Sequence, residues 1–328
     1  MASQELPFVS VVVPAYNAGS TLEKCLTALQ NQTCPKICYE IIVVDDGSHD
    51  DTLEIARRYG VRVLSQANQG AAVARNFGAR EAQGELILFT DSDCEPLEDW
   101  ISQMVEPFSA PEIVGAKGFY KTRQRQIVAR FAQLEYDMKC EKLKRETYID
   151  FVDTYSAAYR REVFLQAGGF DAIYTTASGE DSELSYKLSL QGYKMVPVPN
   201  AFVYHAHPDR LSKYLKKKYR NAYWRVVTWR KYPSKIVKDS HTPNSHKLEV
   251  VLSPLLTLSL GAAFVWPSTF LGITLILFTL FLLNDREFIF LASKDVHLLI
   301  LTPLLLYLRG MAGAIGAGVR ALEPLLGR

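Results

Sequence analysis

The chain has 328 residues, of which 48% are apolar and 22% charged, with a formal net charge of +2. These proportions exclude a disordered chain, a collagen-like fibre and a disulfide-stapled miniprotein. The small net charge hides an asymmetry: residues 1–204 carry 20 Lys/Arg against 28 Asp/Glu, residues 205–249 carry 12 against 3, and residues 250–328 carry 5 against 4. An acidic body, a basic collar and a nearly uncharged tail are expected to meet different surroundings. The start of the chain lacks a basic segment, and its apolar run Val9–Val13 is too short for a signal-peptide core, so the body is expected in the cytosol. The five cysteines, an odd number in a large chain, are expected to be reduced thiols.

In chain order, Phe8–Val13 reads as a buried strand, and Ser20–Gln30 as a helix with apolar positions at Leu22, Cys25, Leu26 and Leu29. Glu40–Val44 is a second buried strand, followed by a helix through Tyr59 capped at Asp50 and Asp51. Val61–Leu64 is a short strand, Gly70–Ala82 a helix and Glu85–Phe89 another buried strand. Continuous apolar strands alternating with helices predict an α/β fold with a mostly parallel sheet covered on both faces. Such sheets bind ligands beyond the carboxyl ends of their strands. Three polar clusters stand there: Pro14-Ala15-Tyr16-Asn17, Asp45-Asp46-Gly47-Ser48 and Asp91-Ser92-Asp93. Asp91 and Asp93 directly follow an apolar strand, where two carboxylates are costly unless a cation or donors meet them. Hard oxygen ligands suit Mg²⁺ or Mn²⁺ bridging to substrate phosphates. Neither a Walker-type phosphate loop nor a Gly-x-Gly-x-x-Gly turn after the first strand is present.

Residues 117–150 hold Lys117, Lys121, Arg123 and Arg125, then a helix through Phe131, Leu134, Met138 and Leu143. Two readings stand for this stretch: a solvated helix face, or contact with an anionic acceptor. Beyond it, Arg210–Lys238 holds eleven Lys/Arg and no Asp or Glu. Leu211, Leu215, Tyr219, Ala222, Val226 and Trp229 share one helical face, with Tyr214, Tyr223, Trp224 and Tyr232 as interfacial aromatics. This predicts a basic amphipathic helix on anionic headgroups, in preference to a nucleic-acid patch. Val250–Trp266 and Pro267–Leu283 are uncharged stretches that fit a helical hairpin bent at Trp266-Pro267. Asn284–Glu287 breaks the run, and Leu298–Val319 follows, interrupted by Arg309 and carrying glycines that permit close helix packing. The basic flank predicts a cytoplasmic body.

The succession VSVVVPAYN (9–17), IIVVDDGS (41–48), ARNFGA (74–79) and LFTDSD (88–93) resembles the family 2 glycosyltransferases over about residues 7–208. The resemblance implies a GT-A fold, a Rossmann-like nucleotide-diphospho-sugar transferase sheet, and inverting transfer from a UDP- or GDP-linked sugar with Mg²⁺ or Mn²⁺. It implies that Pro14 and Tyr16 line the base pocket, that Asp46 bonds the base, and that Arg75 lies near the nucleotide. Asp91, Ser92 and Asp93 match the DXD motif, with Asp93 on the metal and Asp91 on the ribose or on the metal through water. Gly168-Gly169-Phe170-Asp171 resembles the acceptor-side loop, with Gly169, Phe170 and Glu180 facing the acceptor. Asp181 of the Glu-Asp motif is implied as the general base, which stands beside the plainer reading of a first-turn helix acid. In Tyr204-His205-Ala206-His207, some such enzymes have a further metal ligand. His207 is the residue expected there, with a structural role for either histidine left open. The QxxRW mark of processive synthases is missing, and Cys94-Glu95-Pro96 departs from the run found in polyprenyl-phosphate sugar synthases.

The expected organisation is a catalytic domain over 1–208, a basic interfacial helix and linker over 209–247, and two or three membrane helices over 248–328. The expected activity is transfer of one sugar to a membrane lipid or lipid-linked acceptor, without a nucleic-acid partner. A polyprenyl-phosphate glycosyltransferase and a noncatalytic membrane scaffold are the alternatives. The catalytic body is expected to be membrane-attached on the cytoplasmic side.

Overall fold

The computed structural model describes residues 7–174, 178–237, 239–240 and 242–323. Lys238 of the basic run and the first six residues lie outside them. The chain divides into two compact units, 1–123 with 140–206, and 124–139 with 207–328.

The first unit is built on an eight-stranded sheet. Its elements are β1 (Val9–Ala15), α1 (Leu22–Gln30), β2 (Tyr39–Asp45), α2 (Thr52–Arg58), β3 (Arg62–Ser65), α3 (Ala71–Glu81), β4 (Leu86–Phe89), β5 (Cys94–Pro96), α4 (Trp100–Val105) and β6 (Ile113–Lys121). After α5 (Ile127–Leu143), most of which belongs to the second unit, come β7 (Ala157–Arg160), α6 (Arg161–Gln166), α7 (Glu180–Leu190) and β8 (Lys194–His205). The strand order is β3-β2-β1-β4-β7-β6-β8-β5. β1 runs parallel to β2 and β4, and β2 parallel to β3. β7 is antiparallel to both β4 and β6, and β6 is parallel to β8. Two reversals restore direction, so β8 ends on the same edge as β1, β2 and β4. The apolar runs become strands because both faces are covered: every residue of β1 and β4 is buried. Gly78 lets α3 approach the sheet, since a Cβ there would run into Val12 and Val44. Phe89, Phe164 and Phe170 pack with ring centroids 5.1–5.3 Å apart.

The second unit is helical: the front of α5, then α8 (Leu211–Lys231), α9 (Asn244–Ala263), α10 (Pro267–Asn284), α11 (Arg286–Ala292) and α12 (Val296–Leu322). The expected bend is present, with Trp266 as the N-cap and Pro267 as the first residue of α10, a position where proline loses no hydrogen bond. α10 and α12 are the two helices long and apolar enough to cross a membrane among the described residues. Gly310 and Gly316 of α12 serve packing within the unit. A Cβ on Gly310 would meet Ser253 and Glu249 of α9, and one on Gly316 would meet the Tyr219 backbone of α8.

Two expectations change here. Residues 124–139, expected inside the catalytic body, pack instead with the helical unit. Val128, Phe131 and Ala132 enter a core with Tyr214, Phe281, Phe288 and Leu306. Tyr214, expected as an interfacial aromatic, is only 1% exposed and donates its hydroxyl to Glu135. The same carboxylate accepts from Lys218 and, at 2.9 Å, from Arg309 Nη1. Arg309 also forks onto Glu249, with Nε at 3.0 Å from Oε1 and Nη2 at 2.5 Å from Oε2. Burial alone would raise the Glu135 carboxyl; Lys218 and Arg309 overcome it and hold the group well below the usual carboxylate range. Arg309→Met should cost about 3–5 kcal/mol, because it leaves the buried Glu249 without its guanidinium and takes one of two cations from Glu135. Thermal unfolding in detergent measures the loss, which a surface change such as Lys294→Met should not reproduce.

Candidate active site

The loops after β1 and β2 are laced together by side chains on backbone amides. Asn17, the described non-glycine residue with positive φ (48°), accepts from His49 N at 2.9 Å and donates its own N–H to Ser48 Oγ at 2.9 Å. Ala18 N donates to Thr52 Oγ1 at 2.7 Å, and Gly19 N to Asp50 Oδ2 at 3.0 Å. Pro14 is buried at the end of β1, while Tyr16 beyond it is 48% exposed, an aromatic surface offered at the carboxyl edge. Asp46 is buried and accepts from Gln66 Nε2 at 2.7 Å, Gln69 N at 2.9 Å and Gly70 N at 2.8 Å. It therefore pins the segment leading into α3, which the sequence reading did not anticipate.

Arg75 of α3 is 2% exposed and bridges two carboxylates. Nη2 lies 2.6 Å from Asp91 Oδ1, and Nη1 lies 3.1 Å from Glu180 Oε1. One turn of helix does more. Asn76 clamps the backbone of Phe170 from both sides, donating Nδ2 to its carbonyl at 2.7 Å and accepting its N–H on Oδ1 at 2.9 Å. Gly169, at φ +68°, has no room for a Cβ beneath that amide. The motif ARNFGA thus ties the first carboxylate of the DXD segment, the start of α7 and the loop at 168–171 to one helix. Three expected acceptor-side residues prove to be internal. Phe170 is 2% exposed among Phe89 and Phe164, Gly169 is buried below Asn76, and Glu180 is 2% exposed against Arg75. All three pack inside the unit. Asp181 is the next residue of α7, with Oδ1 accepting from Ser182 N at 2.7 Å.

Asp93 is 43% exposed in its side chain, and His205 Nε2 stands 3.4 Å from its Oδ2. The register explains the meeting: β5 pairs antiparallel with β8 at Cys94↔His205, so the residue before Cys94 falls beside the last residue of β8. Tyr120 stacks on His205 with centroids 4.6 Å apart, and on Tyr155 beyond. His207 does not join this group. It lies past the end of β8 in the second unit, where Nε2 bonds Gln133 Oε1 at 2.8 Å and the ring stacks on Tyr136 at 5.3 Å. Asp93, Cys94 and His205 offer ligand atoms within 4.8 Å of one another. Burial, with Asp91 and Asp93 adding to it, raises the Cys94 thiol well above its ordinary value, so it stays protonated beside them. The carboxylate and imidazole fit a divalent cation of Mg²⁺ or Mn²⁺ character. Ser92 is half-buried between the two aspartates.

Two outcomes follow from the bridge. Arg75→Lys keeps a cation but cannot fork, so activity should fall by about tenfold or more, and the protein should lose roughly 1.5–3 kcal/mol, as expected for a lost charge-assisted bond. Steady-state kinetics and thermal unfolding read the two effects. Burial, then the Asp181 carboxylate, push the Glu180 carboxyl up to about 7 against the opposing pull of Arg75. Its folded value exceeds its unfolded one, so its contribution is fully present below the unfolded value of 4.5 and is lost as pH rises through about 7. Melting temperatures of wild type and Glu180→Gln across pH 4.5–8 should diverge in slope, the variant being flatter.

With this geometry in place, the chain matches the family model "Glycosyl transferase family 2" over residues 10–167. Glycosyltransferase AglE of Haloferax volcanii is 30% identical over 234 residues, covering 68% of this chain and 75% of that protein. The uncharacterized glycosyltransferase EpsJ of Bacillus subtilis is 32% identical over 223 residues, covering 63% and 64%. Among solved structures, the mannosyltransferase PcManGT from Pyrobaculum calidifontis aligns with a TM-score of 0.62 at 21% identity, covering 98% of this chain and 88% of that one. The sheet order, the carboxyl-edge site and these relatives agree: the chain belongs to glycosyl transferase family 2 and is a glycosyltransferase with the GT-A fold.

Proposed function

We propose that the protein moves one sugar from a nucleotide diphosphate sugar to a lipid-linked acceptor, with inversion at the anomeric carbon. The observation that carries this reading is the convergence of Asp93 and His205 on the sheet edge where Asp46, Asp91 and exposed Tyr16 also stand. The fold neighbour PcManGT was solved with GDP-Man and Mn²⁺, which supports a nucleotide-sugar donor and a divalent cation here. Asp93 and His205 would hold the cation, with Asp91 fixed beside them by Arg75. A bound Mg²⁺ or Mn²⁺ would offset the charge on the departing diphosphate.

The chain's own residues do the rest. Tyr16 offers a ring at the mouth of the base pocket, and Pro14 with the pinned Asp46 shapes its wall. Asp181 takes the proton from the acceptor hydroxyl. The oxygen then bonds the anomeric carbon while the bond from that carbon to the diphosphate breaks, and the nucleoside diphosphate leaves. A lone carboxylate as base, with no acid partner, suits transfer in preference to hydrolysis. Glu180, held against Arg75, keeps the first turn of α7 in place.

Membrane attachment is part of the same reading. α10 exposes Leu271, Leu275, Ile276, Leu280 and Leu283, an apolar surface that water disfavours. The basic α8 precedes the apolar helices, which favours a cytoplasmic catalytic unit by the positive-inside rule. Holding the enzyme at the bilayer raises the local concentration of a lipid-borne acceptor.

Asp181→Asn should retain metal-dependent binding of UDP or GDP by calorimetry and lose about 10²–10⁴ in kcat. Asp93→Ala should lose the metal-dependent binding itself. A fully active Asp181→Asn enzyme overturns the assignment of the base. A folded wild type that binds neither nucleotide overturns the donor.

A further inference from the structure

The helical unit contains a cavity of about 300 Å³, distinct from the residues of the donor site. That volume is at the small end of the range of ligand pockets, roughly 300–1,000 Å³. Its lining is of two kinds. Lys139, Lys218, Arg225, Lys247 and Arg309 supply cations. Two carboxylates, Glu135 and Asp285, also line it; Glu135 pairs with Lys218 and Arg309, and Arg309 with Glu249 as well, so the charge of those two cations is largely met within the protein and Arg225 and Lys139 carry the attraction. Lys218, Arg225 and Trp229 lie seven and four residues apart along α8 and so share one face of the helix. Arg225 donates to Thr242 Oγ1, and Lys247 donates to the Ile236 carbonyl at 2.8 Å and pairs with Asp239 at 3.3 Å, which orients both cations. Trp229 supplies the sharpest sign of a missing acceptor: its indole Nε1–H is buried and has no hydrogen-bond partner among the described residues. A buried donor left so costs free energy unless an acceptor arrives.

The apolar part of the lining does not end at the cavity. Val251 lines it and is also 54% exposed, in a row with Leu248, Leu255 and Leu258 along one face of α9, each of them exposed as well. A ligand seated against the cations would lay an attached apolar chain along that row. A nucleotide or a free anion has no use for it.

We infer that this cavity seats the phosphate headgroup of an anionic membrane phospholipid, with its acyl chains on the exposed face of α9. The inference rests on the membrane reading above. It adds a lipid site lined by none of the donor-site residues.

The test uses the full chain in detergent, with binding read by native mass spectrometry. The probes are dihexanoyl phosphatidylglycerol, dihexanoyl phosphatidylcholine and inorganic phosphate. One phosphatidylglycerol should bind, with phosphatidylcholine and inorganic phosphate each weaker by about tenfold or more. Lys139→Gln/Arg225→Gln should weaken phosphatidylglycerol by about tenfold. Trp229→Phe keeps the ring but removes the donor, and should weaken it several-fold even where the double variant fails to fold. Equal binding of the two lipids, or unchanged binding by Trp229→Phe and the double variant, overturns the inference. Inorganic phosphate bound as tightly as the lipid overturns the lipid assignment. Flotation with phosphatidylcholine vesicles separates the two readings: wild type that does not float sinks the membrane reading, whereas floating protein without lipid selectivity sinks the seat alone.

Discussion

A guanidinium with 2% of its surface exposed cannot stand alone, and the catalytic unit is organised around meeting that demand at Arg75. Leaving such a charge without partners would cost several kcal/mol, so the carboxylates that meet it are fixed as firmly as it is. One is Asp91, just beyond β4; the other is Glu180, at the first turn of α7. They are 89 residues apart in sequence, yet they share one side chain. The position of Asp93 follows from Asp91, and that of Asp181 follows from Glu180. The spacing between the end of β4 and the start of α7 is thus set by a single fork. Burial and the neighbouring Asp181 push Glu180 toward its neutral form while Arg75 favours its charged form. The pair is held by hydrogen-bond geometry as much as by charge.

The sheet supplies the second half of the placement. β7 runs against its neighbours, and that one inserted strand lets β8 resume the direction of β4. His205 therefore arrives at the carboxyl edge, although it comes from the far end of the unit's sequence. The short β5 then pairs back onto β8 and brings Asp93 to it. A slip of one residue in this pairing would turn the Asp93 side chain away from His205. The Asp93–His205 meeting depends on register, and the Tyr120 ring lies tilted against the imidazole.

The strands β1, β2 and β4 were legible because each is a largely apolar run between turn residues. Burial on both faces leaves that signature in local sequence. The site residues at strand ends were legible for the same reason, as polar clusters that break such runs. What local pattern did not reveal was non-local pairing. His205 and His207 look equivalent in sequence, but β8 stops at His205 and the chain leaves the sheet before His207. Phe170 and Glu180 sit in motifs associated with the acceptor, yet Asn76 and Arg75 draw both inward. Tyr214 reads as an interfacial aromatic in a basic helix; the carboxylate that buries it comes from Glu135, 79 residues earlier. The glycine and asparagine of ARNFGA were seen only as parts of a motif, because a helix pressed on a sheet and a clamp on a distant amide leave no periodic trace.

The two units solve the same problem by the same means. In the first, Arg75 joins Asp91 to Glu180; in the second, Arg309 joins Glu249 of α9 to Glu135, which α5 delivers from 174 residues away. Apolar packing of equal volume would stabilise either unit at least as well, since buried ion pairs return little net energy over a hydrophobic replacement. What an apolar patch does not provide is direction. A guanidinium fork accepts two carboxylates in one plane and at one distance, and an error of an ångström leaves a charge unpaired. Segments far apart in sequence are thereby held to one arrangement. In the catalytic unit that precision is spent on the separation between the end of β4 and the start of α7. In the helical unit it fixes the stretch 124–139 against α9 and α12, and with it Lys139, one of the basic walls of the cavity. The cost of burying charge falls at the two places where position matters more than stability.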